Sequence, residues 1–338
     1  MKSYMRSYLG IDLGTANTIV YMKGKGVILN EPSVIALNRD NGEIICVGIE
    51  AKKMIGKTPA NIFAIRPLKE GVIADYNVAV AMLKYYINAA VGNFVILKPV
   101  VVVGVPTGAT EVEKSALREA ALDAGASKAF LIEEAMATAI GAGLDVEEPS
   151  GNMIVDIGGG TTEIAVISLG NIVLSKSLRV AGDQMDQEIM DYIKTRYNIV
   201  IGEKTAERIK MEIGNVYDSD ENNKLSMEIV GLDVLSGLPK TIQVSGYEVR
   251  QAIKNSVGKI IENIKSAIEE TPPELLYDIV NKGIFLAGGG AMIKGMKELI
   301  EKETFIRVIV ADDPITCVAR GAGLVIDKIN ILRTLWKL

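Results

Sequence analysis

One short pattern occurs twice in this chain of 338 residues and restricts its fold more than any other feature. Residues 152–163 read Asn-Met-Ile-Val-Asp-Ile-Gly-Gly-Gly-Thr-Thr-Glu, and residues 9–20 read Leu-Gly-Ile-Asp-Leu-Gly-Thr-Ala-Asn-Thr-Ile-Val. In each copy an apolar run reads as a buried strand, an aspartate sits near its end, and glycine with small polar residues follows. Asp12 corresponds to Asp156, Gly14 to Gly158 and Thr18 to Thr162. Glycine lets the backbone turn sharply and approach a bulky anion, and successive inward-pointing amides form a phosphate cradle. A carboxylate there would repel bare phosphate, so the pattern calls for a cation between them. Mg²⁺ near Asp12 and Asp156, held largely through water, suits that chemistry. Two such hairpins about a domain apart predict two related halves that close on one nucleotide.

The chain has no histidine. That removes His-based acid/base chemistry, Ser-His triads and His-rich metal sites, and leaves carboxylates, backbone amides, lysines and a hard metal. A net charge of −5 argues against nucleic acid as a partner and confines any membrane attraction to local patches. Cys46 and Cys317 lie far apart in sequence and read as buried, reduced thiols of a cytosol. No apolar run reaches the ~20 residues that span a bilayer, and Met1 to Tyr8 lacks the apolar stretch of a signal peptide. With 49% hydrophobic residues and mean hydropathy +0.25, the expectation is a soluble protein with cores for two domains.

Read in order, Met1, Tyr4, Met5 and Tyr8 share one side of an amphipathic turn or simply lead into the first strand. Strands follow to Leu37, then a hairpin turn over Asn38 to Gly42 and its return strand to Gly48. Glu50 to Met54 reads as helix, Phe63 to Tyr76 as irregular and Val78 to Ala90 as helix. Val100 to Val105 is a buried strand. Thr110 and Glu113 form a predicted capping box ahead of a helix over Ala116 to Ala124. Ala129 to Ile132 is strand and Ala135 to Gly141 helix. After the second hairpin come a strand over Ile172 to Val180 and helices over Gly182 to Tyr197 and Thr205 to Ile213. Strands occupy Leu225 to Val244, and one helix runs from Ser245 to Glu269. Gly283 to Met292 is a strand entering a third glycine cradle. Helices over Lys294 to Lys302 and Pro314 to Asn330 complete the pattern. A mixed sheet flanked by helices, occurring twice, is the expected α/β architecture.

Ile11-Asp-Leu-Gly-Thr-Ala-Asn-Thr18, Phe130-Leu-Ile-Glu-Glu134, Asp156-Ile-Gly-Gly-Gly-Thr-Thr-Glu163 and Phe285-Leu-Ala-Gly-Gly-Gly290 together resemble the actin/heat-shock-70/sugar-kinase ATPase superfamily. Asn30-Glu-Pro-Ser-Val34, Ile55-Gly-Lys-Thr-Pro59, Val105-Pro-x-Gly-x-Thr110 and Thr271-Pro-Pro-Glu-Leu275 narrow the resemblance to the MreB family of bacterial actins. The resemblance covers nearly the whole chain. It implies an actin-like fold of two lobes with ATP or ADP and Mg²⁺ in the cleft between them. The first lobe is expected at residues 1–145 plus 315–338, with a small subdomain near 31–75. The second is expected at 146–314, with a small subdomain near 183–255. The catalytic set would be Glu134, which orients the attacking water, with Asp156 and Thr161. Nucleotide contacts would come from Asp12, Gly14, Thr15, Ala16 and Asn17, from Gly158, Gly159, Gly160 and Thr161, and from Gly182. Glu207 and Lys210 would lie near the ribose and base, and Gly288, Gly289, Gly290, Ala291 and Met292 along the adenosine and α-phosphate. The family usually has proline after the catalytic glutamate, whereas this chain has Ala135, which fixes the backbone less firmly.

The same resemblance implies slow ATP hydrolysis linked to self-assembly into paired filaments that govern cell shape. It places the protein in the cytoplasm, at the inner face of the membrane, with membrane proteins as further partners. Phe94, Val95, Ile96 and Leu97 form an apolar run in an expected loop, either packed on the core or held out toward a bilayer. In the tail, Ile331, Leu332, Leu335, Trp336 and Leu338 share one side of a helical wheel, with Arg333 and Lys337 opposite; it too either packs on its own domain or meets an anionic surface. Two other functions compete. A heat-shock-70-type chaperone would need a substrate domain after residue 330, and a small-metabolite kinase would need an acceptor pocket with an aspartate base that the sequence does not display.

Overall fold

The structure, a computed structural model, describes residues 6–92 and 97–328. The expectations for Phe94, Val95, Ile96 and the tail with Arg333, Trp336 and Lys337 lie outside the described residues. Leu97 is described and is exposed.

Two five-stranded sheets share one topology. In the first, the order is Lys128–Glu133, Val100–Val105, Tyr8–Leu13, Asn17–Met22, Gly26–Pro32. The last three form an antiparallel meander, and the first three run parallel. In the second, Asn152–Ile157, Thr162–Ser168 and Asn171–Leu178 form the meander, and Ile284–Ala287 and Val308–Val310 add in parallel. The sequence duplication is therefore a structural one: Leu13 pairs with Thr18 as Ile157 pairs with Thr162.

Both central strands are apolar on both faces because helices cover both. On one face of the first sheet, Leu9, Ile11, Val101 and Val103 pack with Met82, Leu83 and Tyr86 of helix Tyr76–Val91 and Leu117 of helix Glu111–Asp123. On the other face, Val102 and Ile132 meet helices Glu134–Gly141 and Cys317–Leu324. The second sheet carries Met153, Val155 and Ile157 against Met185, Ile189, Ile260 and Ile264. Two small sheets extend the halves: Ile35–Asn38 between Ile44–Val47 and Ile62–Ile65, and Ser226–Asp233 between Ile199–Val200 and Pro239–Ser245. Among the described residues no helix is long and apolar enough to cross a membrane.

Several boundaries differ from the sequence expectations. Phe63 to Tyr76 is not irregular throughout, since it holds part of strand Ile62–Ile65 and the pair Leu68–Lys69 and Val72–Ile73. The expected helix Ser245 to Glu269 is two helices, Gly246–Ala252 and Lys254–Glu270, that meet at Ile253. Pro273–Lys282 is a further helix, with proline at its first turn. The expected helix Pro314 to Asn330 is a 3₁₀ turn, then helix Cys317–Leu324, then another 3₁₀ turn.

The capping box is present as expected. Glu113 N–H donates to Thr110 Oγ1 at 3.3 Å, and Thr110 N–H donates to Glu113 Oε2 at 2.7 Å. Thr110→Ala removes one acceptor at an exposed helix start, so stability in a urea titration should fall by about 1 kcal/mol. An unchanged midpoint would show that solvent replaces the cap.

Candidate functional site

The two hairpin turns face each other. A Cβ on Gly159 would lie 2.7 Å from the Ala16 Cβ, and one on Gly160 would strike Thr15 Oγ1. Only glycine lets these two loops approach so closely. The first loop is braced from below: Thr18 Oγ1 and Ser33 Oγ lie 2.8 Å apart, and Ser33 Oγ donates to the Gly14 carbonyl at 2.6 Å. Asn17 Nδ2 donates to Asn30 Oδ1 at 3.2 Å. The motif Asn30 to Ser33 thus supports the loop from the neighbouring strand. The second loop is tied by Thr162 Oγ1 to the Val180 carbonyl at 2.7 Å. Asp183 N–H donates to the Gly159 carbonyl at 2.8 Å, and Gly182 N–H to Gly158 O at 3.2 Å.

Beneath the loops is a cluster of carboxylates. Asp156 is buried at 7% exposure and accepts from Thr138 Oγ1 at 2.6 Å. That hydroxyl also lies 2.8 Å from the Glu134 carbonyl, so one threonine links both carboxylate-bearing residues. Gly104 faces Glu134: a Cβ there would sit 3.3 Å from Glu134 Cγ. Glu163, only 2% exposed, accepts from Ser177 Oγ at 2.5 Å and from Thr107 N–H of the first half at 3.3 Å.

Burial pushes every acid of this cluster up. Asp12 is raised to about 8 by burial and then by Asp156. Asp156 is raised to about 6 by burial, against the opposing Thr138 hydrogen bond. Glu163 is raised to about 7, chiefly by burial. Glu134 is raised well above the carboxylate range by burial, then by Glu163, Asp12 and Asp156. No lysine or arginine pairs with these four among the described residues. Such a cluster fits a divalent cation. No group of three or more Cys, Asp or Glu converges as a protein-only metal site among the described residues. Asp12 and Asp156 would therefore share the ion with water and phosphate oxygens, as Mg²⁺ prefers.

The third cradle reaches the same place. Gly288 has φ +79 and leaves no room for a Cβ against Asp156 Oδ1, while Gly290 packs on Ile157. Gly289–Met292 forms a 3₁₀ turn with Gly290 and Ala291 buried and Met292 exposed. Lys210 donates to the Gly182 carbonyl and to Asp186 Oδ2, both at 2.8 Å. Glu207 bonds Lys52 of the first half at 2.8 Å. Asp12, Gly14 to Asn17, Gly158 to Thr161, Gly182, Lys210 and Gly288 to Gly290 are thus brought close together, and Glu207 is joined to the first half through Lys52. Sequence reasoning quoted Ser33 and Glu163 only inside motifs and did not single out Thr138, nor the pairs of Lys52 with Glu207 and of Arg66 with Asp183.

The sequence profile described as MreB/Mbl protein matches residues 6–334. The cell shape-determining protein Mbl of Bacillus subtilis is 48% identical over 324 residues, covering 96% of this chain and 97% of that protein. The cell shape-determining protein MreB of Escherichia coli is 48% identical over 328 residues, covering 96% and 94%. The crystal structure of MreB5 of Spiroplasma citri bound to ADP superimposes with TM-score 0.91 at 39% identity, covering 98% and 99%. The same protein bound to AMPPNP gives the same values. The MamK double helical filament, at 24% identity and TM-score 0.82, shares the fold.

Proposed function

The chain belongs to the MreB/Mbl family and has the actin-like fold, and from that premise we propose that it binds ATP or ADP with Mg²⁺, hydrolyses ATP slowly and assembles into filaments that govern cell shape. The observation that carries this reading is the apposition of Gly159 on Ala16 and Gly160 on Thr15 above the half-buried Asp12 and the buried Asp156. The two expected lobes, 1–145 plus 315–338 and 146–314, would meet there, so one nucleotide would touch both.

The chain's own groups would supply the positioning. Phosphoryl transfer to water is mostly positioning and charge neutralisation. Amides of Gly14 to Asn17 and of Gly158 to Thr161 would donate to phosphate oxygens, and Gly288 to Met292 would lie along the adenosine and α-phosphate. Glu134 would hold the attacking water; burial and then its acidic neighbours raise its pKa, so a bound dication would favour its ionised form. Thr138 fixes Asp156, and through it the floor of the site. Mg²⁺, when bound, supplies the charge that offsets the β- and γ-phosphates. Ala135 is fully buried behind Glu134; without the usual proline, turnover is expected to be slow.

Filaments built from head-to-tail contacts do not close into rings. Pelleting with Mg²⁺-ATP but not in nucleotide-free buffer is the expected result, and sedimentation as a monomer at high concentration with ATP would refute assembly. We also assign membrane contact to Phe94, Val95, Ile96 and Leu97 and to the tail with Arg333, Trp336 and Lys337. One buried apolar side chain contributes roughly 1.5–3 kcal/mol, and each basic residue near an anionic leaflet about 1 kcal/mol. A filament repeats both anchors and gains by multivalency. Filaments should co-sediment with anionic liposomes and monomers poorly; Phe94→Ser/Ile96→Ser and a truncation after Asn330 should each reduce binding. Unchanged binding in both would remove both anchors.

A further inference from the structure

Ion pairs between residues far apart in sequence join the two halves. Arg66, from the first half, donates to Asp183 Oδ2 at 3.2 Å and contacts Glu203 Oε1 at 2.6 Å, both on the second half. Lys52 Nζ lies 2.8 Å from Glu207 Oε2. Glu70 pairs with Arg179 at 3.1 Å in a more exposed position. The side chains of Arg66, Lys52 and Glu207 are only 21%, 28% and 27% exposed, so these pairs are shielded more than ordinary surface pairs.

Their placement ties them to the phosphate loops. Asp183 meets Arg66 with its carboxylate while its N–H holds the Gly159 carbonyl. The segment from Arg66 to Gly71 then runs over the second loop: a Cβ on Gly160 would lie 3.2 Å from Glu70 Cα, and one on Gly71 would lie 3.2 Å from Thr161 Cγ2. Gly71 N–H donates to Thr15 Oγ1 at 3.0 Å, which pins the segment to the first loop as well. The pairs are not simply an attractive seam. Lys204 is held below the usual lysine range by burial and then by Lys57 and Lys52 across the gap. This seam therefore contains opposed attractions and repulsions, and modest changes can tip it.

We propose that Arg66 and Lys52 form an ion-pair latch, closing on Asp183, Glu203 and Glu207, that sets how fast bound nucleotide leaves the cleft. This rests on the nucleotide reading above and adds the step that limits exchange. The halves cannot separate around a ligand under the Arg66 to Gly71 segment without breaking these pairs. Opening must then speed up when one partner is neutralised, and with rising salt, because screening weakens charge pairs that open to solvent.

Release of a fluorescent N-methylanthraniloyl ATP from the full chain, chased with unlabelled ATP, measures this directly. The variants are Lys52→Ala, Glu203→Gln and the double variant; neither side chain belongs to an apolar core cluster, and thermal melts check folding. The double variant should release the analogue about tenfold faster than wild type. Wild-type release should accelerate between about 0.05 M and about 0.5 M NaCl, and the double variant should lose most of that dependence. Release within about twofold of wild type, with the salt response intact, overturns the latch. Small-angle scattering of nucleotide-free protein separates the two readings. Should wild type fail to hold the analogue, the nucleotide reading falls. The ion pairs then still hold the two halves closed if the double variant and high salt expand the molecule, and do not if its radius of gyration is unchanged.

Discussion

Replacing Glu134 with alanine is expected to cut ATP turnover about 100-fold or more while leaving nucleotide affinity within about twofold. The two effects separate because Glu134 lies with the acids beneath the loops, whereas the phosphate donors would be backbone amides of the hairpins. Nothing in Glu134's surroundings compensates for its loss: its neighbours Glu163, Asp12 and Asp156 are acids that raise its pKa. A group that must be ionised to orient water, and whose pKa is raised, works better as pH rises through that raised value. Wild-type turnover should therefore climb as pH rises above the ordinary carboxylate range, and the variant's residual rate should rise less. A variant rate within about twofold of wild type would take Glu134 out of the chemistry.

The hairpins were legible because their signal is local and repeated. Strand, aspartate and glycine fall within a few residues, and the pairing of Leu13 with Thr18 and Ile157 with Thr162 reproduces the correspondence read from sequence. Helix Gly182–Tyr197 and strand Val100–Val105 were equally plain from periodicity and apolar runs. Strands Leu68–Lys69 and Val72–Ile73 were not, since two residues carry no period. The break at Ile253 was hidden because apolar spacing continues across it, and helix Lys254–Glu270 resumes at once.

Within the site, Glu163 could have been found. Aligning the two hairpins sets it opposite Ile19, so one copy has an acid where the other has a core residue. A buried acid in place of an apolar partner is costly unless it is used or bonded, and here it holds Ser177 and Thr107. The contacts of Lys52 with Glu207 and of Arg66 with Asp183 had no such signal. They join residues 155 and 117 positions apart, and only the closure of the two halves brings them together.

Asp156→Asn should move stability and function in opposite directions. Asp156 is almost fully buried, and its pKa is raised from 3.8 to about 6. In the folded chain it therefore keeps its proton across the window between those values. That contribution is complete below about pH 4, is lost as pH rises through about 6, and leaves a desolvated buried charge at neutral pH. Asparagine keeps an acceptor for Thr138 Oγ1 and removes the charge. Without nucleotide, the variant should melt higher than wild type near pH 7.5, by on the order of 1–3 kcal/mol, and the difference should vanish near pH 4. With Mg²⁺ and ATP the order should reverse, because the charge that burdens the free chain is what a dication would require. Wild type should gain stability from Mg²⁺-ATP, and gain more as pH rises, while the variant gains little and loses turnover about 100-fold. Equal Mg²⁺-ATP stabilisation of both proteins would show that Asp156 is a structural acid and that any ion is held elsewhere.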